Sequence, residues 1–277
     1  MVTLGVTGST GAVGGRVAAR LGTAVGRLVV RDASRAPRVE GDPDVVEATY
    51  GDRAASVLAL RGVDVLLMVS AAESPVRRDE HRTFIEAAAE AGVGHLVYTS
   101  FAGAAPDAVF TLGRDHFEAE QIVRGTGMAF TFLRDSFYSD FFPLFADDDG
   151  VVRGPAGSGR VSAVARADVA DVAVAVLRDP GAFAGETLTL TGPEAFSVAE
   201  ACERMTAALG RPYSYVEETV EEAYASRRRW SEEPWQLDAW VSTYLAFASG
   251  ELAAVSPDVE RVAGHPPRTL EQALLGD

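Results

Sequence analysis

The segment LGVTGSTGAVGGRVAARL, residues 4–21, constrains this chain more than any other. A predicted strand, Leu4–Thr7, runs into Gly8, Gly11 and Gly14 at the spacing G-x-x-G-x-x-G, and a helical pattern over Gly14–Leu21 begins at once. Strand, glycine turn and helix in that order open a βαβ unit. Gly8 permits a tight turn out of the strand, Gly11 lets a pyrophosphate approach the backbone, and Gly14 lets the helix pack close to the sheet. The N–H groups freed at such a turn, together with the positive end of the helix, hold phosphate. Gly8, Ser9, Thr10, Gly11, Ala12, Val13 and Gly14 are therefore the candidate dinucleotide cradle.

The rest of the first half repeats the unit. Strands are predicted at 27–30, 45–48, 63–69, 95–98 and 129–133, with helices over RAASVLAL, 78–91 and 114–124. The run VDVLLMV is continuously apolar, the mark of a strand buried on both faces. Alternation of this kind implies an α/β fold, a Rossmann-type doubly wound parallel sheet with helices on both faces. Ligands of such sheets bind beyond the carboxyl ends of the strands. Past residue 135 the texture changes to the aromatic DSFYSDFFPLF and the Gly-rich DDDGVVRGPAGSGR. The expected organisation is an NAD(P)-binding domain over 1–135, to which about 160–190 returns. A smaller, mainly helical substrate cap takes 136–159 and 191–277. Trp230, Trp235 and Trp240 are expected in cap core and cleft wall.

Composition excludes several chemistries. All 25 basic residues are arginine and none is lysine, which removes Schiff-base, Walker-type and kinase-type lysine chemistry. A net charge of −15 argues against nucleic-acid binding. The run Arg227-Arg228-Arg229, flanked by Glu221-Glu222 and Glu232-Glu233, is expected to be a solvated, salt-bridged helix face. The four histidines are scattered and suggest no metal site, and Cys202 stands alone in a helical pattern as a packed residue. With no long apolar segment and no leader pattern, no membrane association is expected, and the expected compartment is the cytoplasm. No feature of the sequence separates a monomer from a homodimer.

The residue closing the second strand of such a fold selects the cofactor, a carboxylate for a ribose 2′-hydroxyl or an arginine for a 2′-phosphate. The sequence reads LVVRDASRAP. Arg31 and Arg35 are placed to clamp a phosphate, favouring NADPH. Asp32, one position on, leaves NADH open.

The stretches VTGSTGAVGGRV, LVVRDASR, ATYGD, HRTFIEAAAEAGVGHLVYTS, GRDHFEAEQIVRGTGMAFTFLRDSFYSDFF and the terminal GHPPRTLEQAL, in this order and spacing, resemble the NmrA-like atypical short-chain dehydrogenase/reductases. The resemblance is to the branch of NAD(P)H:quinone oxidoreductases and triphenylmethane reductases. Extended members of that superfamily carry Tyr-x-x-x-Lys-x-x-x-Glu on the helix after the fifth strand. Here Leu112, His116 and Glu120 occupy those places. The resemblance thus implies hydride transfer to an acceptor that needs little acid help, a quinone or similar planar electrophile.

The remaining candidates lie around the expected nicotinamide pocket. His116 is the catalytic candidate, as a ribose contact or as a proton relay, since histidine titrates near about pH 6.5. Ser70, Ala71 and Ala72 end the fourth strand beside the cofactor, and Ser100 ends the fifth. The resemblance also places Asp135 and Ser136 against the cofactor. The family usually has Arg-Asn where this chain has Arg134-Asp135, and a carboxylate cannot donate to a carboxamide oxygen. Phe137 and Tyr138 are the candidates for stacking a flat acceptor. Two other readings stand beside the enzyme: a non-catalytic NADP(H) sensor regulating a partner, and a biosynthetic reductase of aromatic polyketides.

Overall fold

The computed structural model describes residues 2–276. Its first part runs β1 (Leu4–Thr7), α1 (Ala12–Leu21), β2 (Val25–Val30), β3 (Asp44–Glu47), α2 (Arg53–Leu60), β4 (Val65–Met68), α3 (Arg77–Ala91), β5 (His95–Phe101), α4 (Thr111–Thr126) and β6 (Ala129–Asp135). The remainder is β7 (Val151–Gly154), β8 (Arg160–Val161), α5 (Arg166–Arg178), β9 (Thr187–Leu190), β10 (Phe196–Ser197), α6 (Val198–Leu209), β11 (Ser214–Glu217), α7 (Val220–Arg227), α8 (Pro234–Ser249), α9 (Asp258–Ala263) and α10 (Leu270–Leu275).

Seven strands form one sheet in the order β3-β2-β1-β4-β5-β6-β9. The pairings of β1 with β2 and β4, of β2 with β3 and of β4 with β5 are all parallel. Strand order reverses between β1 and β4, so the crevice that such a sheet offers to a ligand opens at their carboxyl ends. The fold class is the one expected, a Rossmann-type sheet with helices on both faces. The predicted strand 63–69 is shorter in the structure for a local reason. Val63 N–H bonds the Leu60 carbonyl and closes α2, while Val69 N–H leaves the ladder for Thr7 Oγ1, 2.9 Å away. The first helix begins at Ala12, two residues before the periodic apolar pattern, because the glycine turn itself enters the helix.

The chain divides into two compact units. Unit 1 comprises Met1–Ser100, Asp115–Arg134 and Val169–Leu188, and unit 2 comprises Phe101–Arg114, Asp135–Asp168 and Thr189–Asp277. In unit 1, Val29, Leu60, Leu66, Met68, Phe84, Leu96 and Phe132 form the buried centre, and β4 and β5 are buried along their whole length. Every β4 residue is apolar, as burial on both faces requires.

In unit 2, β7 pairs with β11 and β8 with β10, so the Gly-rich stretch after residue 149 holds short strands. Gly154 admits a ring: a Cβ there would lie 2.4 Å from the Tyr244 ring. Two expectations are corrected here. Arg227 is buried, pairs with Glu218 at 3.0 Å, donates to the Arg153 carbonyl and lies over the Tyr244 ring, so it is a packing residue rather than part of a solvated face. Trp230 is 59 % exposed, with the Arg229 guanidinium over its ring, and belongs to no core. Cys202 is buried on α6, its thiol pushed up to about 11 by burial. Among the described residues no helix is long and apolar enough to cross a membrane.

Candidate active site

The glycine turn lies at the carboxyl end of β1. Gly8 has φ +62°, a conformation that L side chains rarely adopt, and its carbonyl accepts from Gly11 N–H at 2.9 Å. A Cβ at Gly14 would stand 2.5 Å from the Gly8 oxygen and 2.7 Å from the Thr7 oxygen, so only glycine lets α1 approach the strand this closely. No side chain caps α1. Ser9 is buried, and its hydroxyl has no partner among the described residues. An uncapped helix start, a close backbone and an unsatisfied buried hydroxyl suit a pyrophosphate, whose oxygens accept from all three. The residues present fit a dinucleotide.

Tyr50 fixes the mouth of this crevice. Its hydroxyl lies 2.6 Å from Thr7 Oγ1 and 2.6 Å from the Val69 carbonyl, and its ring stacks on Phe84 at 4.1 Å. The ends of β1 and β4 are thereby pinned together. Burial raises the Tyr50 hydroxyl far above its ordinary range, so it stays protonated and bonded. Beyond β4, Ser70 N–H donates to Thr99 Oγ1 at 2.8 Å.

At the end of β2, Arg31 and Arg35 are exposed and make no ion pair with any described residue. Asp32 is engaged locally. Its carboxylate accepts from Ser34 N–H at 2.9 Å and from the Ser34 hydroxyl at 2.6 Å, capping the short helix Ala33–Arg35. Those bonds hold its carboxyl below the usual range. Glu47, on β3, accepts from Ala33 N–H at 2.7 Å and fixes the same loop.

His116 sits in a buried network that composition and motif spacing do not reveal. Arg77 Nη2 lies 2.9 Å from His116 Nε2, and Tyr98 Oη lies 3.0 Å from His116 Nδ1. Because a guanidinium can only donate, His116 Nε2 is the acceptor and Nδ1 carries the proton. His81 Nε2 accepts from Ala71 N–H at 2.9 Å, and Arg77 Nε donates to the Ala71 carbonyl at 3.0 Å. The same Arg77 reaches Asp115 at 3.2 Å. Burial first, and then the Arg77 charge, lowers both imidazoles, His81 to about 3 and His116 well below its ordinary value. Both rings are neutral near pH 7, and the network they share with Arg77 grips the backbone at Ala71. A signal was present in the sequence: Arg77 and His81 are polar residues four apart on the helical face that continues into Phe84, Ile85 and Ala88.

Ser100, expected as a pocket liner, donates to Glu120 Oε1 at 2.6 Å. Glu120 is 1 % exposed and is also held by Arg134, through Nε at 2.8 Å and Nη2 at 2.6 Å. The glutamate at the family's third position thus ties α4 to β5 and β6.

In unit 2, Asp135 is 3 % exposed. Tyr138 donates to its Oδ2 at 2.9 Å, and Oδ1 has no partner among the described residues. Burial raises the Asp135 carboxyl well above its ordinary range. Phe137 meets the rings of Phe101, Phe110 and Phe247 at 5.3, 5.1 and 4.9 Å, so much of its aromatic surface is spent on packing.

Residues 8–180 match the family model described as NAD(P)H-binding. The chain belongs to the NAD(P)H-binding family. Within it, the chain is 37% identical over 268 residues to a (4-alkanoyl-5-oxo-2,5-dihydrofuran-3-yl)methyl phosphate reductase of Streptomyces griseus, covering 95% of this chain and 93% of that one. It is 34% identical to an NAD(P)H azoreductase of Xenophilus azovorans, covering 96% and 95%. The crystal structure of an NADPH-dependent quinone oxidoreductase from Escherichia coli, complexed with NADPH, superposes with a TM-score of 0.87 at 29% identity, over 99% of each chain. This family member is an NAD(P)H-dependent oxidoreductase of the quinone reductase and azoreductase type, as the motifs imply.

Proposed function

We propose that this oxidoreductase uses NADPH, with NADH as the poorer donor, to reduce a quinone or similar planar conjugated electrophile without a Tyr/Lys pair. The observation that carries the reading is the state of the helix that would hold the pair. Leu112 offers no proton, and the two nitrogens of His116 face Arg77 and Tyr98. Neutral, buried and committed, His116 is a positioning residue rather than a relay. An acceptor that spreads charge over a conjugated system needs no strong acid beside one oxygen. Two of the relatives, the azoreductase and the quinone oxidoreductase, are named for acceptors of this kind.

Bound nicotinamide supplies the hydride. The chain's own residues hold and orient. Gly8 through Gly14 cradle the pyrophosphate, with Ser9 donating its otherwise unsatisfied hydroxyl. Arg31 and Arg35 grip the 2′-phosphate, since Asp32 is already spent on Ser34. Ser70, Ala71 and Ala72 flank the cofactor on a loop held by His81 and Arg77, and Ser100 steadies that end of β5 through Glu120. The test is NADPH oxidation against a panel of quinones, azo dyes and triphenylmethane dyes, with simple aldehydes and ketones as controls. Turnover is expected with the conjugated acceptors alone. Oxidation no faster than background with every acceptor would sink the reading, and tight NADPH binding alongside it would instead indicate a sensor.

A further inference from the structure

Where the parallel ladder between β1 and β4 ends, two hydroxyls continue it at Val69. Val69 N–H donates to Thr7 Oγ1 at 2.9 Å, and the Val69 carbonyl accepts from Tyr50 Oη at 2.6 Å. Tyr50 Oη and Thr7 Oγ1 lie 2.6 Å apart. Each hydroxyl has one proton and a carbonyl can only accept, so the Tyr50 proton is engaged on Val69 and Thr7 donates to Tyr50. The result is a closed ring, from Val69 N–H to Thr7, to Tyr50 and back to the Val69 carbonyl. Hydrogen bonds chained in this way polarise and strengthen one another.

The ring draws on distant parts of unit 1. Tyr50 belongs to the loop after β3, and β2 and β1 lie between β3 and β4 in the sheet. Its aromatic ring is stacked on Phe84 of α3, so the hydroxyl is delivered from a fixed position. Val69 is in turn the wall behind the glycine turn. A Cβ at Gly8 would lie 2.8 Å from Val69 Cβ, and a Cβ at Gly14 would lie 2.5 Å from the Gly8 oxygen. Gly8 is thus held between the exit of β4 and the start of α1. Atoms packed this closely do not compress, and a shift of Val69 is passed on to the turn. The Gly8 carbonyl carries it further, because it accepts from Gly11 N–H at 2.9 Å.

We propose that Tyr50 is a positioning residue for the cofactor: through Thr7 and Val69, its hydroxyl fixes the Gly8 turn in the shape that receives a pyrophosphate. The assignment rests on the functional reading above, in which residues 8–14 are the cradle. Tyr50 touches no phosphate in this scheme and gives no proton to the acceptor. It sets affinity for the dinucleotide and leaves the rate of hydride transfer alone. A ligand without a pyrophosphate is indifferent to it.

The experiment compares wild type with Tyr50→Phe, which keeps the stacked ring, with Thr7→Val, which removes the second hydroxyl, and with Thr7→Ser, which keeps it. Calorimetry measures Kd for NADPH, for ADP as the pyrophosphate probe, and for adenosine 2′-monophosphate, which has no pyrophosphate. Tyr50→Phe and Thr7→Val are expected to weaken NADPH and ADP roughly tenfold and adenosine 2′-monophosphate less than about twofold, because only the turn is displaced. With a quinone as acceptor, the KM for NADPH rises in step while kcat stays within about twofold, and Thr7→Ser restores wild-type values. In the ligand-free protein, amide exchange at Val69 and Gly11 should be at least about tenfold faster in Tyr50→Phe than in wild type. Equal weakening of all three ligands, or a fall in kcat with KM unchanged, overturns the proposal. So does a folded Tyr50→Phe with wild-type ADP affinity. Where Tyr50→Phe does not fold, Thr7→Val reads the same ring. Wild type that binds neither NADPH nor ADP overturns the functional reading, while the exchange rates still report on the ring around Val69.

Discussion

His116 occupies the place where the resemblance would put a lysine, and its ring nitrogens meet a guanidinium and a phenol. The consequence is testable in reverse. His116→Lys would set a second buried cation against Arg77, leaving one charge uncompensated, and is expected to cost roughly 3–5 kcal/mol in urea denaturation without creating carbonyl reductase activity. The proposed preference for NADPH also rests on a single residue type. Arg31 and Arg35 are exposed and pair with no described carboxylate, while Asp32 is consumed as a cap. Each charge-assisted bond to a phosphate is worth about 1.5–3 kcal/mol. Replacing both arginines with alanine is therefore expected to weaken NADPH binding at least tenfold and to leave NADH nearly unchanged, as read by titration of each cofactor. Equal losses for the two would remove these arginines from the 2′-phosphate.

At the scale of elements, the turn between β1 and α1 is set by contact distances. Gly14→Ala would drive a Cβ to 2.5 Å from the Gly8 carbonyl oxygen, and backbone on both sides cannot yield cheaply. Thermal denaturation should show a loss of about 1–3 kcal/mol, with cofactor affinity falling further because the displaced loop is the proposed cradle. This part of the fold was legible from sequence, since glycine spacing reports a backbone requirement directly. The clamp on Ala71 was harder to read. It joins α3 to the end of β4, while Tyr98 and His116 bring β5 and α4 into the same network, and no local pattern states which polar residues of separate elements will meet. Arg227 misled for the same reason: its neighbours in sequence are acidic and solvated, but its partners are Glu218, the Arg153 carbonyl and the Tyr244 ring.

For the whole molecule, buried imidazoles couple stability to pH. An unfolded histidine takes up a proton near about pH 6.5, whereas His81 in the folded chain does so only near about 3 and His116 is lowered in the same direction. Between those values the unfolded state binds more protons, so stability falls as pH falls, by up to about 1.4 kcal/mol per unit for each histidine. Denaturation at neutral and mildly acidic pH should show this slope, and His81→Gln, whose amide oxygen can still accept from Ala71, should make it shallower by one histidine's share. An unchanged slope would mean that His81 is protonated in the fold. The sequence by itself determined the parallel sheet and the glycine turn that opens it, because hydrophobic periodicity and glycine spacing are local properties. Only the tertiary structure decided the charge state of His116. That depends on desolvation and on the Arg77 charge that folding brings against the ring, which turn a nominal base into a neutral prop.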